Sequence, residues 1–474
     1  MAFADNRQFI EAMKKTGDVV CIKKEVDWDL EAGAIARYSN EKNGPAVLFE
    51  KLKDYPPGFR LFSSALANFR RVAIAMGLPP EISFQDLLKE YDKRLQKPFK
   101  PVVVKDAPCK DVVVEGKDVD LFDFPTPMIH EGDGGRYIGT WHILVTKDPD
   151  TKWSNWGMYR VMLYDKKRMV GMLSPEQHGP AVLWEKYAPM KKPMPFALAI
   201  GADPISSYVA GAFFGRGEEE SGFAGALRKQ PVELVKCHTN DLHVPAHSEI
   251  IIEGEIHPDK PLMEGPFGEF PGYSASPRRT WPMYKVNAIT YRHDPIMTMC
   301  SVGFPTDDVH IVAALGKTHL YKKMLKENGV PFTDLFVPPS GTGLLVIVSI
   351  DPPHANVASR IGRVLMTGRI PHFVIVVDGD VDVYNMEAVM HAISTKCHPI
   401  RGITTHDHDI GSPLAPFYTH EERKLGIGAK AVFDCTFPVE WGIEKTPKKV
   451  NFIKGYPGSV QDKVLKNWKS YGFK

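Results

Sequence analysis

Cysteine is scarce in this chain of 474 residues, and the six that occur are far apart: Cys21, Cys109, Cys237, Cys300, Cys397 and Cys435. They form no Cys-x-x-Cys pair, so they suggest neither a zinc site nor a disulfide framework. An excess of charge is also missing. Because 59 basic side chains face 57 acidic ones, nothing predicts a nucleic-acid partner. Together these absences favour a reducing, cytoplasmic compartment.

Long apolar runs are absent as well. The longest, residues 343–350, is far shorter than the ~20 residues that a membrane-spanning helix needs, and we expect no membrane contact. The N-terminus lacks a basic start followed by an apolar segment, so no secretory signal is predicted. With 43% hydrophobic residues the chain is able to bury a sizeable core, and its length predicts two or three domains.

The first two thirds of the chain change from helical to strand-like periodicity. Asp5 is placed to cap a helix that buries Phe9, Ile10 and Met13, and residues 1–105 have the pattern of a small α/β unit. Residues 106–305 are predicted to form a mostly antiparallel sheet or barrel. The strand-like runs behind that prediction are 112–114, 141–146, 159–163, 196–200, 250–256, 285–290 and 296–299.

A linker and a second α/β unit are predicted to follow. The pattern at 306–328 is helical. From residue 329 to 474, strands alternate with helices, which predicts a partly parallel sheet. Its end, at about 459–470, is amphipathic and suited to pack on a neighbour. The predicted class is therefore α+β.

Two short segments carry side chains suited to chemistry. Glu264 and Glu269 flank a Gly/Pro-rich turn, and facing one pocket they could have different pKa values for acid and base roles. Asn155 and Arg160 share a short segment with large aromatics, and an arginine is able to hold a carboxylate with two parallel hydrogen bonds. On spacing alone, solvated glutamates and a surface ion pair are the commoner outcomes.

In combination, Asn-x-x-x-x-Arg followed by Glu-Gly-Pro-x-Gly-Glu-x-x-Gly-Tyr resembles the signature of the UbiD family of reversible decarboxylases. The similarity runs from about residue 7 through 378–383 to the tail. It implies a central split β-barrel of the flavin-reductase type that binds a cofactor. It also implies a C-terminal α/β domain with an oligomerisation tail.

The resemblance implies an Arg-Glu-Glu active site on Arg160, Glu264 and Glu269. Arg160 would hold the substrate carboxylate, and Glu264 would fix the orientation of Arg160. Glu269 would be the general acid that protonates the carbon from which carbon dioxide departs. The implied cofactor is prenylated FMN, whose covalent adduct with the substrate serves as an electron sink.

The resemblance also implies a divalent metal, Mn²⁺ or Mg²⁺, bound by Asn155, His178 and Glu233. Oxygen ligands with one imidazole suit these ions, and potassium is a further candidate ion. Taken singly, His178 would more often be a structural histidine and Glu233 a solvated strand residue. A rival cluster of alternating His and Asp at 406–409 matches no implied site and is expected to be a solvated loop.

Besides Arg160 and the metal ligands, the residues implied to contact the cofactor are Met158, Tyr159, Gln177 and Lys396. Lys396 would lie near the phosphate, although a surface lysine is the simpler interpretation. Phe270 and Phe437 are candidates to line the substrate pocket, where they would favour a flat ring, and core packing accounts for them equally well.

An aromatic acid, with hydroxylated rings included, is the predicted substrate; an acrylic acid or an aryl-CoA thioester is the alternative. A different class would be a flavin-binding reductase-like protein or a non-catalytic carboxylase subunit. A reductase would need a nicotinamide site, but the three glutamates that follow residues 215–217 would repel phosphate. The implied partners are a flavin prenyltransferase, which supplies the cofactor, and further copies in a homodimer or homohexamer.

Overall fold

The computed structural model describes residues 3–274, 278–352 and 356–473. The N-terminal region consists of α1 (Asn6–Thr16), β1 (Val19–Ile22), α2 (Glu31–Glu41), β2 (Ala46–Phe49), β3 (Arg60–Ser63), α3 (Phe69–Ala75) and α4 (Phe84–Leu95). Asp5 caps α1 by accepting a hydrogen bond from the amide of Gln8 at 2.9 Å. Phe9, Ile10 and Met13 are buried as predicted. The region is a small α/β unit.

A nine-stranded half-barrel sheet forms the centre of this α+β fold. The strands of the central region are β4 (Val102–Val104), β5 (Val112–Glu115), β6 (Tyr137–Gly139), β7 (His142–Lys147), β8 (Ser154–Gly157), β9 (Val161–Leu163), β10 (Arg168–Gly171), β11 (Met194–Ile200), β12 (Glu233–Lys236), β13 (His243–Pro245), β14 (Ile250–Glu264), β15 (Arg279–Tyr291) and β16 (Ile296–Met299). Its helices are α5 (His178–Val182), α6 (Pro204–Gly211) and α7 (Glu220–Arg228).

The half-barrel has the order β6-β9-β10-β15-β14-β11-β7-β8, and β5 also pairs with β15. The long strands β14 and β15 form its main hairpin, and two register shifts interrupt their pairing. A separate small sheet has the order β13-β12-β4. The turn with Glu264 and Glu269 therefore lies at one end of the half-barrel.

One strand of the predicted barrel belongs to a different sheet. Residues 296–299 form β16, which pairs in parallel with β3 and completes the N-terminal sheet β1-β2-β3-β16. All four residues of β16 are buried. A strand buried on both faces suits a parallel pairing, but its apolar run does not identify the sheet it joins.

The C-terminal region begins with α8 (Asp308–Glu327), inside the predicted linker. A five-stranded sheet of order β17-β18-β19-β21-β20 follows, and the pairs β18–β19 and β19–β21 are parallel. The elements are β17 (Asp334–Phe336), β18 (Leu345–Ile350), α9 (Val357–Leu365), β19 (Phe373–Asp378), α10 (Met386–Lys396), β20 (Ile403–Ile410), α11 (His420–Leu425), β21 (Ile427–Cys435), α12 (Gly442–Lys445) and α13 (Gly458–Asn467).

The His/Asp cluster at 406–409 lies on the edge strand β20 rather than in a loop. A register shift separates His406 from Asp409, and the cluster is mostly exposed. Alternating charged residues fit an edge strand, because they discourage pairing with another chain. Within the described ranges, no helix is long and apolar enough to span a membrane.

Candidate active site

A cavity of about 570 Å³ lies where the half-barrel meets α6, α8 and a loop of the C-terminal region. Its walls come from segments at 139–141, 155–160, 172–178, 210–214, 267–270 and 309–320, together with Glu220, Val302 and Leu414. Aromatic and aliphatic side chains dominate one part of the wall. Charged and amide groups gather in the other part, so the cavity is suited to a flat ligand with an anionic end.

Arg160 and Glu269 line this cavity, and buried Glu264 holds Arg160 without lining it. The Arg160 guanidinium donates from Nε to Glu264 Oε1 at 2.8 Å and from Nη2 to Glu264 Oε2 at 3.0 Å. Its Nη1 donates to the carboxylate of Glu269. Glu264 is fully buried and Glu269 is 5% exposed. The bidentate pair fixes the plane of the guanidinium, which leaves Glu269 on the cavity side of the network.

Two further residues shape the turn that carries the glutamates. Gly134 lies directly against it: a Cβ on Gly134 would be 2.1 Å from the carbonyl oxygen of Gly265. Tyr137 donates its hydroxyl to Glu264 Oε1 at 2.6 Å. Burial, and then the neighbouring Glu264 carboxylate, raise the pKa of Tyr137, so its hydroxyl stays a donor. Tyr137 was not predicted, because no motif in the sequence links it to a residue so distant in the chain.

Asn155, His178 and Glu220 meet in the polar part of the cavity. Glu220, at the start of α7, accepts hydrogen bonds from Asn155 Nδ2 at 2.8 Å and from the Trp156 amide at 2.9 Å. Burial raises the pKa of Glu220 to about 7, although these two hydrogen bonds oppose the shift. The predicted ligand Asn155 is therefore bonded to a carboxylate that was not predicted, and His178 lines the same cavity.

Glu233, the predicted third ligand, lies elsewhere. It is on β12, where its half-exposed carboxylate pairs with His247 at 2.7 Å. The cavity wall does not include it. Along β12, Leu234 and Val235 are buried while Glu233 and Lys236 are exposed, and this pattern directs the Glu233 side chain to solvent. Only a weak feature of the sequence marks Glu220: it is the first residue of a helix in an otherwise mostly apolar segment.

The trio of Asn155, His178 and Glu220 fits a hard divalent cation. Asn155 Oδ1 is buried without a hydrogen-bond partner, and Gly179 keeps it open, since a Cβ there would lie 2.5 Å away. Burial, and then the charge of Arg216, lower the pKa of His178, which keeps its imidazole neutral as a ligand. Among the described residues, no group of three or more His, Cys, Asp or Glu side chains could hold a metal ion. The site proposed here differs because one of its three ligands is the side-chain amide of Asn155.

The other predicted cofactor and pocket residues form two groups, and only one of these groups lies at the cavity. Met158, Tyr159, Gln177 and Phe270 line the cavity. Lys396 and Phe437 are found together in the C-terminal region instead, with the ammonium group 4.7 Å from the ring centre.

Lys396 also pairs with Asp378 and lies 3.7 Å from Asp380, so its charge is already neutralised. Phe437 packs near Trp441. The aromatic wall of the cavity comes from Phe213, Phe214 and Phe267, which were not predicted as pocket residues.

Three family models together match most of the chain. They describe the N-terminal domain (residues 10–91), the Rift-related domain (100–305) and the C-terminal domain (310–435) of 3-octaprenyl-4-hydroxybenzoate carboxy-lyase. Pyrrole-2-carboxylic acid decarboxylase of Pseudomonas aeruginosa is 32% identical over 99% of this chain and 98% of its own length. Ferulic acid decarboxylase 1 of Saccharomyces cerevisiae is 33% identical over the same shares.

Solved structures of similar proteins cover the whole fold. The closed form of vanillic acid decarboxylase from Sedimentibacter hydroxybenzoicus has a TM-score of 0.87 and 32% identity, with 99% of each chain covered. An evolved dimeric form of the UbiD-class enzyme HmfF from Pelotomaculum thermopropionicum, in complex with prFMN, has a TM-score of 0.81. It is 26% identical over 94% of this chain and 99% of that one.

Proposed function

The chain belongs to the UbiD family of carboxy-lyases, and on this premise we propose that it decarboxylates an aromatic carboxylic acid reversibly, with prenylated FMN bound in the cavity beside Arg160. Its relatives are named decarboxylases, and the chain is an enzyme of that class. The observation that carries the proposal is the hydrogen-bonded cluster of Arg160, Glu264 and Glu269, of which Arg160 and Glu269 line the cavity.

Arg160 is suited to hold the carboxylate that will leave. Its guanidinium plane is fixed by the bidentate contact with buried Glu264 and, through that carboxylate, by Tyr137. The remaining edge faces Glu269 and the cavity. An arginine held in this way binds a second carboxylate with little loss of side-chain entropy.

Glu269 is suited to donate the proton that replaces carbon dioxide on the substrate carbon. When the bond to carbon dioxide breaks, the electron pair stays on the substrate carbon, and a protonated Glu269 would transfer its proton to that carbon. Solvent would then reprotonate Glu269. Prenylated FMN, when bound, supplies the electron sink that makes loss of carbon dioxide from an sp² carbon possible.

Asn155, His178 and Glu220 would hold a Mn²⁺ or Mg²⁺ ion at the polar end of the cavity. The amide and carboxylate oxygens and the imidazole match the preferences of these ions, and the ion would offset the negative charge of a flavin phosphate. Met158, Tyr159 and Gln177 line the same cavity, which supports the proposal that they would contact the cofactor.

An aromatic acid agrees with the cavity and with the relatives. Phe213, Phe214, Phe267 and Phe270 give the wall flat apolar surfaces against which a ring is able to stack. A heteroaromatic acid and a phenolic acid are named in two relatives. Ferulic acid, named in another, is an aryl acrylic acid, and it makes that class the second candidate.

The tail is suited to contact a second copy. No residue of α13 is buried, and Val450, Ile453 and Leu465 are among the exposed apolar side chains from 439 to 473. Exposed apolar surface of this extent favours association, and we propose a homodimer or a larger homo-oligomer. The unpaired thiols of all six cysteines agree with the cytoplasm, where a flavin prenyltransferase would supply the cofactor.

The proposal is tested by purifying the chain after co-expression with a flavin prenyltransferase. The absorption spectrum and mass of the bound flavin should be those of prenylated FMN, and carbon dioxide should be released from at least one aromatic acid. Protein made without the prenyltransferase is the control and should be inactive. Binding of prenylated FMN without turnover of any benzoate-type or heteroaromatic acid would contradict the substrate class. Failure to bind the flavin would contradict the proposal as a whole.

A further inference from the structure

Side chains hold the backbone on both sides of Glu269. On one side, Asp133 accepts a hydrogen bond from the amide of Gly268 at 2.9 Å. On the other side, the carbonyl oxygen of Phe270 lies 2.6 Å from Nε2 of His310. Both contacts come from residues far away in the sequence, so they fix the turn against the body of the protein.

The turn also closes on itself at Glu269. Its amide donates to the carbonyl of Tyr273 at 3.2 Å, and its carbonyl accepts from the amide of Gly272 at 2.8 Å. Gly272 has a φ of +87°, a conformation that few other residues adopt without strain. A turn closed in this way moves as a unit, and a contact at Phe270 therefore sets the position of Glu269.

A buried network fixes the imidazole of His310. Its Nδ1 lies 2.9 Å from Asp307 Oδ1, and Asp307 Oδ2 accepts from Arg37 at 3.1 Å and from the Gly303 amide at 3.0 Å. His310 and Asp307 are at most 1% exposed. Because a carbonyl oxygen only accepts hydrogen bonds, the contact with Phe270 requires a proton on Nε2 of His310.

The electrostatic surroundings of His310 support this arrangement. Burial alone would lower its pKa. The charge of Asp307, the hydrogen bond to it and the Phe270 carbonyl outweigh burial and raise the pKa above its ordinary value. Arg37 opposes them only weakly. The backbone amide of Asp307 also donates to Nδ1 at 3.1 Å, and in either charge state it is Nε2 that carries the proton facing Phe270.

His310 also connects the turn to the cavity wall. It belongs to the first turn of α8, and the neighbouring residues Val309 and Val312 line the cavity. A helix-capping role would use only Nδ1, which faces the N-cap residue Asp307. Nε2 points away from the helix, to the residue that follows Glu269. Capping therefore does not account for this second contact.

We propose that His310 is a positioning residue for Glu269, whose imidazole holds the Phe270 carbonyl so that the Glu269 carboxyl stays at the cavity beside Arg160. The inference rests on the proposed function, because Glu269 matters as a proton donor only if the chain is a decarboxylase. His310 touches neither the cavity nor the substrate position and acts through the turn alone.

Two substitutions of His310 separate its contacts. His310→Gln places an amide nitrogen near the position of Nε2 and is expected to keep the bond to Phe270. His310→Asn reaches only as far as Nδ1, so it keeps a polar contact with Asp307 and loses Phe270. Thr419→Ala is the matched control, because it removes the second capping box of the chain, at α11, away from this turn.

Hydrogen exchange of the purified protein measures whether the turn is held in place, and it does not require enzymatic activity. In H310N, peptides covering residues 264–274 should exchange about tenfold faster than in the parent, as expected for the loss of one buried hydrogen bond. H310Q and T419A should leave these peptides unchanged. Unchanged exchange in H310N would overturn the proposal.

Steady-state kinetics of the cofactor-loaded enzyme measure how a displaced Glu269 affects turnover. We expect kcat of H310N to fall about 10- to 100-fold with KM nearly constant, since Arg160 still binds the substrate. H310Q should recover most of this loss. Faster exchange with an unchanged kcat would overturn the positioning role. If the parent enzyme releases no carbon dioxide from any acid, the proposed function fails, and the exchange data still decide whether His310 holds the turn.

One measurement does not require H310N and covers the case in which that variant does not fold. With ¹⁵N-labelled histidine, the unmodified protein should show an imidazole Nε2 proton that exchanges slowly with solvent, and H310Q, which lacks this imidazole, assigns that signal. The presence of this signal supports the proposal. Its absence from a folded sample would overturn it.

Discussion

The carboxylate of Glu220 accepts a hydrogen bond from the side-chain amide of Asn155 across 2.8 Å. The two residues come from different elements, α7 and β8, and both are nearly inaccessible to solvent. Glu220 also accepts from the backbone amide of Trp156, so its carboxylate is fixed at the polar end of the cavity. This contact leaves Asn155 Oδ1 open, as a metal ligand requires.

Replacing Glu220 by Gln should prevent binding of the metal and weaken binding of the cofactor. The amide cannot supply the charge that offsets a divalent cation, and we expect manganese affinity to fall at least ~10-fold. Bound manganese and flavin per chain measure the effect. Glu233→Gln is the matched control, because its half-exposed carboxylate pairs with His247. Loss of manganese in E233Q with retention in E220Q would contradict the assignment.

Arg160→Lys should reduce turnover although the charge is kept. A lysine offers one point charge, whereas the guanidinium uses two nitrogens for Glu264 and a third for Glu269. We expect kcat/KM to fall about 10²-fold because the substrate carboxylate is no longer oriented. Arg168→Lys, on an exposed pair with Asp165, is the control. Equal kinetics of R160K and the parent would contradict the role of Arg160.

Asp308→Asn should stabilise the protein more at neutral pH than at acidic pH. Burial raises the pKa of Asp308 to about 6, and its Oδ2 has no hydrogen-bond partner. The folded state therefore holds a proton that the unfolded state releases at lower pH. The favourable contribution is present below pH 3.8, the ordinary pKa of an aspartate, and is lost as the pH rises through about 6.

The benefit of D308N should thus grow by about 2 kcal/mol between pH 4 and pH 7, which urea unfolding at each pH measures. Asp462→Asn, on the exposed face of α13, is the control and should show no such trend. A benefit of D308N that is constant with pH, or that shrinks as the pH rises, would contradict the buried proton.

Lys396→Met should affect stability and leave the flavin in place. The ammonium group pairs with Asp378, so the substitution removes the partner of this partly buried carboxylate, whereas Asp380 keeps its pair with Lys449. We expect a loss of about 1–2 kcal/mol in the free energy of unfolding, with flavin per chain unchanged. If K396M has normal stability but loses its flavin, this prediction is contradicted and Lys396 contributes to cofactor binding.

Much of the architecture followed from local patterns. The cap at Asp5, the helix that begins at Asp308 and the alternation of strands and helices after it depend on neighbouring residues, and the structure has them. Sheet membership did not follow in the same way. β16 joins β3, more than 200 residues earlier, and its apolar run is compatible with either sheet.

Within the site, motif residues were easier to predict than residues that are assembled in space. Asn155 and Arg160 belong to one short segment, and the structure brings them to the cavity. Glu220 and Tyr137 have no motif, and only the packing of α7 and β6 on the half-barrel places them there. Phe437 was assigned from its residue type, but an aromatic side chain fits a core as well as a pocket.

The most direct test of the account is the turnover of Glu269→Gln loaded with prenylated FMN. The amide keeps the size of the side chain and its place beside Arg160, but it cannot donate the proton that the substrate carbon needs. The account predicts normal flavin content and a loss of carbon dioxide release of at least about 10²-fold. Turnover of E269Q at the parent rate, with the same cofactor bound, would contradict it.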